Sequence, residues 1–407
     1  MALILDIDGK PIRKTKTFCP NPVAKYGIPD YADSESNPNV IGTSSWHDWW
    51  EEQFYYCLNG YYTGGLWIPG RYYFFLNFCS VTTVGKGRHY PMFVDFQYEF
   101  FLLIEKIKRE KRGIITLKAR RKGLSEQVVN GVFNYGFRFI PNYKGGICAG
   151  QAVHAEGFYN KFLDSAGIVP PELRLRMRGD AWKEGKKAVY SQKNDIGGFI
   201  EKGCGSTIFV RTMFSSDNVF KGEFLNDCVF EEGGEFDKLV PGFNSTKACF
   251  MDGNRMVGSA LVYGTGGKMD KGSKGFSEMW ANPEAFNLEK FWVSGAKMYF
   301  PCVAGSVDEG GTNIEDIPHL KKDFPHDYMR VGMQDEKRSC ELILKYRERL
   351  SKERDLKPYY DELQNYPLNP KEAFLRLFGN NYDNKILTNR SLELLSVSSL
   401  YSAYVLE

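Results

Sequence analysis

Between residues 95 and 265 the apolar positions of this chain switch back and forth between a helical and a strand rhythm. Asp95-Phe96-Gln97-Tyr98-Glu99 opens a helical pattern that Phe100, Leu102, Leu103, Ile104 and Ile107 carry to Lys111. It leads directly into Ile114, Ile115 and Leu117, a short β-favouring run. A basic loop with one glycine follows, and a second helical stretch starts at Ser125 and runs through Glu126, Gln127, Val128 and Val129. The alternation then repeats: a strand is predicted over 143–150, a helix over 152–164, and further strands over 207–210, 226–232 and 258–263. Strand, helix, strand, helix is the signature of a parallel sheet with right-handed crossovers. Beyond the turn Gly264-Thr265-Gly266-Gly267, Gly- and Asn-rich loops dominate to about residue 316, and a long charged helix is predicted over about 336–354.

The flanks read differently. Residues 1–45 are rich in Pro, Asn, Asp and Ser with little periodicity, which predicts an extended arm. Trp46, Trp49, Trp50 and Phe54 then fall at helical spacing, and Tyr55, Tyr56, Tyr61, Tyr62, Trp67, Tyr72, Tyr73, Phe74 and Phe75 crowd the same region. Such crowding can stack on an adenine or on bases, or fill the interior of a small subdomain over 46–94. Between 165 and 205, Arg174, Arg176, Arg178, Lys183, Lys186, Lys187 and Lys193 alternate with Leu173, Leu175, Met177, Trp182 and Tyr190. That composition suits either a DNA-facing insertion, with phosphates met by the cations and bases by aromatic faces, or a solvated basic hairpin.

At 407 residues the chain can bury one large or two ordinary cores. Its net charge of only +3 means that any nucleic-acid contact must come from local patches. No apolar run reaches the length of a bilayer span, and residues 1–11 lack the apolar core of a signal peptide, so a cytoplasmic setting is expected. Nine cysteines without a Cys-x-x-Cys pair, and five histidines that do not cluster, argue against a zinc site or a disulfide framework.

The candidate chemistry gathers at strand ends. A standard phosphate loop reads Gly, four residues, Gly, Lys, then Ser or Thr. Aligned on Gly123 and Ser125, this chain has Leu124 in place of that lysine and Lys118 in place of the first glycine. Lys118 can still supply a phosphate-binding cation from the start of the loop, with Arg120, Arg121 and Lys122 adding charge, while the strand-to-helix junction points backbone N–H groups at an anion. Taken alone, the loop also reads as a basic surface turn. Cys228-Val229-Phe230-Glu231-Glu232 is an apolar strand ending in two acids, which can serve a metal and a water or be plain surface carboxylates. Gln97, just ahead of the loop strand, can donate to and accept from the edge of an adenine, or be an ordinary exposed glutamine. Their order along the chain gives them joint meaning, because ligands of open α/β sheets bind at the C-terminal edge of the strands.

The set Phe96-Gln97, Lys118-Ala119-Arg120-Arg121-Lys122-Gly123-Leu124-Ser125, Val229-Phe230-Glu231-Glu232-Gly233-Gly234-Glu235-Phe236 and Tyr263-Gly264-Thr265-Gly266-Gly267 resembles the ATPase domain of the large terminase subunit of tailed bacteriophages. The late Tyr366-Pro367-Leu368-Asn369-Pro370-Lys371-Glu372-Ala373-Phe374 resembles the segment that such proteins carry between motor and nuclease. The resemblance covers about residues 46–380 and implies an α/β P-loop ATPase fold of the additional-strand type. The sheet would be mainly parallel, with an aromatic N-terminal subdomain, an ATPase core over 95–310 and a helical lid and linker over 311–407.

It further implies ATP and Mg²⁺ as cofactors, with Gln97 reading adenine and Lys118, Ala119, Arg120, Arg121, Lys122, Gly123 and Leu124 cradling phosphates. Some terminases carry the catalytic lysine at the loop start, as Lys118 stands here. Ser125 and Glu231 would hold the metal, although the family usually has Asp at the latter position, and Glu232 would activate water. Gly264, Thr265, Gly266 and Gly267 would form a coupling turn, and Arg120 or Arg121 in cis, or Arg211 from a neighbour, would stabilise the transferring charge. The implied partners are double-stranded DNA, the portal protein of the procapsid, the small terminase subunit and further copies of the chain in a ring, with no membrane. The implied place is the host cytoplasm, transiently docked on the procapsid and outside the mature virion. About 35 residues follow Phe374, too few for an RNase H-like nuclease, so DNA cleavage is not expected. Two rival readings remain at this level: a helicase-like DNA-dependent ATPase, and a nucleotide-binding protein that has lost hydrolysis, which Leu124 and Glu231 suggest.

Overall fold

The computed structural model of the chain describes residues 42–63, 66–83, 87–91, 93–178, 186–187, 189–193, 199–213, 219–266, 273–303, 312–313, 332–334, 336–375 and 390. The expected arm over 1–45 lies almost wholly outside the described residues, as do Trp182, Lys183 and Gly267.

Seven strands form the main sheet: β1 (Gly113–Lys118), β2 (Lys144–Ala149), β3 (Lys186–Lys187), β4 (Thr207–Thr212), β5 (Asp227–Glu231), β6 (Ser259–Gly264) and β7 (Leu288–Val293). Their order is β7-β1-β6-β5-β2-β4-β3. Every neighbouring pair is parallel except β4 with the two-residue edge strand β3. Strand β6 lies between the loop strand β1 and the acid strand β5, which is the additional-strand arrangement expected above.

Successive side chains of a strand point to opposite faces, and a sheet covered on both faces needs apolar residues at every position. Strands β1, β5 and β6 follow this except at Thr116 and at their polar ends. Ile114, Val229, Leu261 and Tyr263 enter the core on one face, and Ile115, Leu117, Cys228, Phe230, Ala260 and Val262 enter the core on the other. The first face is covered by α3 (Asp95–Glu110), by the composite helix α4 and by α5 (Ala152–Ile168). Helix α4 is Leu124–Gln127, a π-helical stretch Val128–Asn134, and Tyr135–Phe139 in one run. The second face packs on α6 (Leu239–Thr246) and α7 (Ser273–Ala281).

The aromatic region does not close on itself. Helices α1 (Ser44–Asn59) and α2 (Gly70–Phe78) share the interior of the first face, and every residue of α2 is buried. Tyr72 of α2 stacks on Phe101 of α3 with ring centroids 4.8 Å apart. Helix α1 buries Trp50, Gln53 and Cys57, leaving Phe54 at 36% exposure, because Gln53 turns inward to accept a 2.6 Å hydrogen bond from the Tyr73 hydroxyl. In the basic stretch, Tyr190–Lys193 pairs antiparallel with Phe199–Lys202 as a separate two-stranded sheet.

Beyond residue 267 the chain is more regular than its Gly- and Asn-rich composition predicts. It contributes α7 and β7, then α8 (Glu336–Leu350), α9 (Lys357–Asn365) and the short α10 (Pro370–Ala373). Strand β7 alternates Glu289, Lys290 and Trp292 with buried Leu288, Phe291 and Val293, a half-exposed edge pattern that a loop-like setting obscures. The charged helix ends at Leu350 rather than near 354, since Ser351 and Lys352 already form a turn.

Candidate active site

Because β1, β5 and β6 run parallel in register, their C-terminal residues meet at one edge: Leu117 stands opposite Gly264, and Lys118 opposite Val293 of β7. Lys118 ends β1 almost wholly buried, and its ammonium lies 3.5 Å from Glu232 Oε1. Ser125, in the first turn of α4, donates a 3.0 Å hydrogen bond from its hydroxyl to Glu231 Oε1. The loop and the acid strand, 106 residues apart in sequence at that contact, are thus joined by two polar contacts.

The loop between them is held from outside. The Ala119 N–H donates to the Val293 carbonyl and the Arg120 N–H to the Asn365 carbonyl, each at 2.8 Å. The Lys122 ammonium donates to the carbonyls of Gly295 and Lys297 at 3.0 and 2.7 Å, so it tethers the loop to the exit of β7. Burial and the nearby Lys297 charge push the Lys122 pKa down to about 8. Arg121 and Gly123 take left-handed backbone conformations, φ +58° and +67°. Alternation of right- and left-handed residues turns successive N–H groups to the same side and makes an anion-binding concavity. Among the described residues the N–H groups of Arg121 and Gly123 donate to no backbone carbonyl, which leaves them for such a ligand. Leu124 sits inward in the core rather than at the mouth of the loop.

Glu231 is 7% exposed, and its Oε2 meets no hydrogen-bond donor. Its pKa is pushed up to about 7, first by burial and then by the Glu232 charge, against the opposing pull of the Tyr263 hydroxyl, Lys118 and Ser125. The Tyr263 hydroxyl is also buried and lies beside this carboxyl without closing a well-formed hydrogen bond. Glu232 takes φ +49°, a left-handed conformation costly for a residue with a Cβ, which turns its carboxylate out of the strand direction and toward Lys118. A Cβ added at Gly264 would stand 2.8 and 2.9 Å from the Gly233 and Gly234 nitrogens, so the glycine turn presses directly on the backbone that follows Glu232.

Gln97 lies over the loop: its Oε1 is buried without a donor, and a Cβ at Gly123 would stand 4.0 Å from its Nε2. The arginines are placed less centrally. Arg120 and Arg121 are exposed, while Arg211 lies against its own strand, donating 2.9 Å to the Val210 carbonyl. Thr265 and Gly266 follow Gly264 at the same edge. Sequence reasoning missed Tyr263 as a neighbour of the acids and the Asn365, Gly295 and Lys297 carbonyls as supports of the loop. Backbone acceptors have no sequence signature, but a tyrosine immediately before a glycine turn on the inserted strand is a signal that could have been used.

A Mg²⁺ suits these donors. One Glu231 oxygen is orphaned in a buried setting, a serine hydroxyl is already in contact with the other, and Lys118 keeps Glu232 from adding an uncompensated charge. Among the described residues there is no group of three or more His, Cys, Asp and Glu side chains, so such an ion would rest on one or two protein ligands plus phosphate and water, as Mg²⁺ commonly does.

No family model and no curated protein matches the sequence. Among solved structures, the chain is similar to the HK97 bacteriophage large terminase, at 12% identity and a TM-score of 0.37, over 64% of this chain and 53% of that one. It is similar to the large terminase ATPase domain of Thermus phage P74-26, at 13% identity and a TM-score of 0.35, over 63% and 87% of the two chains. A third is the large terminase of the thermophilic bacteriophage D6E in complex with ADP, at 15% identity and a TM-score of 0.33, over 50% and 45%. The match thus spans about half the length of the HK97 chain. At these values the chemistry of the present chain rests on its own residues.

Proposed function

We propose that this chain binds ATP with Mg²⁺ at the end of β1 and hydrolyses it as the motor of a viral machine that drives double-stranded DNA into a procapsid. The observation that carries the reading is the pair of contacts Lys118–Glu232 and Ser125–Glu231, which bring a phosphate-loop lysine and serine onto two acids across an inserted strand. Adenine would be read by Gln97, whose buried Oε1 lacks a donor, and the phosphates would be met by the N–H groups of Arg121 and Gly123 and by Lys118.

Lys118 neutralises Glu232 in the present arrangement. A γ-phosphate oxygen would compete for the same ammonium, and Glu232, released from its partner, would accept a proton from the attacking water. Ser125 and Glu231 would hold the metal, which when bound neutralises charge on the phosphate oxygens. Arg120 or Arg121, both exposed, could swing onto the γ-phosphate in cis, or Arg211 could serve a neighbouring copy in a ring. Portal protein, the small terminase subunit and the host cytoplasm belong to the same proposal. Among the described residues no helix is long and apolar enough to cross a membrane.

The test is steady-state phosphate release from ATP with Mg²⁺, together with binding of a fluorescent ATP analogue. Lys118→Ala and Glu232→Gln are each expected to reduce turnover at least roughly a hundredfold, the usual size of such losses. Glu232→Gln should still bind the analogue. An inactive parent, or normal turnover by Lys118→Ala, would overturn the assignment.

A further inference from the structure

The segment Asn365 to Phe374 crosses the same sheet edge as the site and touches three of its loops. The Asn365 carbonyl accepts from the Arg120 N–H of the phosphate loop, and the Pro367 carbonyl accepts from the Gly295 N–H at the exit of β7 at 2.7 Å. The Ala373 carbonyl fills the space that a side chain at Gly266 would need. A strap of about ten residues therefore holds the loop that would bind phosphate, the neighbouring loop that tethers Lys122, and the glycine turn.

The strap is itself stiff for local reasons. Asn369 caps α10 through its Oδ1, accepting from the Lys371 and Glu372 N–H groups at 3.1 and 3.2 Å, and Pro370 occupies the first helical turn. Glu372 reaches back, accepting from the Leu368 N–H and the Asn369 side-chain amide, each at 2.8 Å, a variant of the capping box. What fastens this unit to the rest of the chain is Arg347 of α8. Its Nη2 donates to the Tyr366 carbonyl at 2.9 Å and to Glu372 Oε2 at 3.0 Å, and both charged residues are at least nine-tenths buried.

A buried pair of this kind is held by geometry, and removing one member strands the other in a place where water cannot reach it. We infer that Arg347 is a positioning residue for nucleotide binding: through Tyr366 and Glu372 it fixes the strap, and the strap fixes the phosphate loop through Arg120 and Gly295. The inference rests on the nucleotide reading of the loop for its functional consequence, but its structural half stands apart from it. It also gives the strap a direction of signalling. Movement of the phosphate loop or of the glycine turn on hydrolysis would be delivered to one rigid piece and then to α8, because all three loops are attached to it.

The experiment compares the full chain with Arg347→Gln, Arg347→Lys and Glu372→Gln by amide hydrogen exchange and by ATP turnover with Mg²⁺. In Arg347→Gln the Arg120 and Gly295 amides should exchange roughly tenfold or more faster, while amides of Ile115 and Val229 in the central strands keep parent rates. The KM for ATP should rise by about tenfold with kcat changed far less, as expected when binding geometry rather than the chemical step is disturbed. Arg347→Lys should recover part of both effects. Should Arg347→Gln unfold globally, Glu372→Gln is judged by the same criteria. Parent-like exchange at Arg120 and Gly295, or equal acceleration in the central strands of every folded variant, would overturn the inference. If the parent itself neither binds nor hydrolyses ATP, the nucleotide reading fails, and the exchange pattern alone still decides the role of Arg347 in fixing the loop.

Discussion

Glu231 carries opposing demands in one side chain. Burial and the neighbouring Glu232 hold its pKa at about 7 instead of the ordinary value of 4.5. A carboxyl raised in the folded state binds more protons there than in the unfolded chain, so its contribution to stability is complete below the unfolded pKa and is lost as pH rises through about 7. The full swing is on the order of 3 kcal/mol. In the absence of added metal, the parent is expected to lose stability between pH 5 and 8 relative to Glu231→Gln, measured as the difference in denaturant midpoint between the two proteins. Mg²⁺ should reverse the trend, because it selects the ionised carboxylate, and its affinity should increase toward pH 8. A parallel pH dependence of parent and variant would show that Glu231 is not the group concerned. The acid was legible in the sequence as the end of an apolar strand, but its shift was not. That depends first on burial at the packed sheet edge, next on the Glu232 charge, and then on how far Tyr263, Lys118 and Ser125, arriving from three other places in the chain, oppose them.

At the scale of elements, the sequence disclosed those strands whose chemistry sits at the end of a continuous apolar run. β1, β2, β5 and β6 are of this kind, with burial at nearly every position. It concealed α9 and also β7, whose charges are satisfied only after folding: Glu289 of β7 pairs with Lys106 and Arg112, at 3.3 and 2.7 Å. Arg347 was likewise one charge among many in α8 until the strap covered it. The meeting of β6 with the end of β5 makes a specific expectation possible. Gly264→Ala would place a methyl against the Gly233 and Gly234 backbone nitrogens, which cannot move aside as a side-chain tip can. The chain after Glu232 must shift, and with it a carboxylate already held in a costly backbone conformation. Turnover should fall at least roughly tenfold with a stability loss of only about 1–3 kcal/mol, the usual cost of overpacking. Phosphate release and a denaturant midpoint on the same preparation separate the two. Parent-level turnover would mean that the glycine turn does not bear on Glu232.

For the molecule as a whole, the sheet has two polar poles. Glu231 marks one end of β5, and Asp227, completely buried, marks the other, about 13 Å away by the rise of a strand. Asp227 forms an ion pair with Lys108 of α3 and accepts a 3.0 Å hydrogen bond from the hydroxyl of Tyr143, which leads into β2. Burial lowers the Lys108 pKa against the pull of Asp227, and burial together with the Asp227 charge holds the Tyr143 hydroxyl protonated well beyond its ordinary range. This network joins a covering helix to two central strands at the edge remote from the candidate site, so it should govern global stability and leave nucleotide binding alone. Asp227→Asn leaves the partly buried Lys108 ammonium without its counter-charge and is expected to cost about 2–4 kcal/mol, measured by denaturant unfolding. Adding Lys108→Met removes the stranded cation and should restore most of that loss, because an apolar pair of similar volume avoids the desolvation that the charges suffer. The KM for ATP should stay near the parent value in whatever fraction remains folded. An Asp227→Asn cost below about 1 kcal/mol would place the pair among weak, solvent-screened contacts and remove it from the interior scaffold.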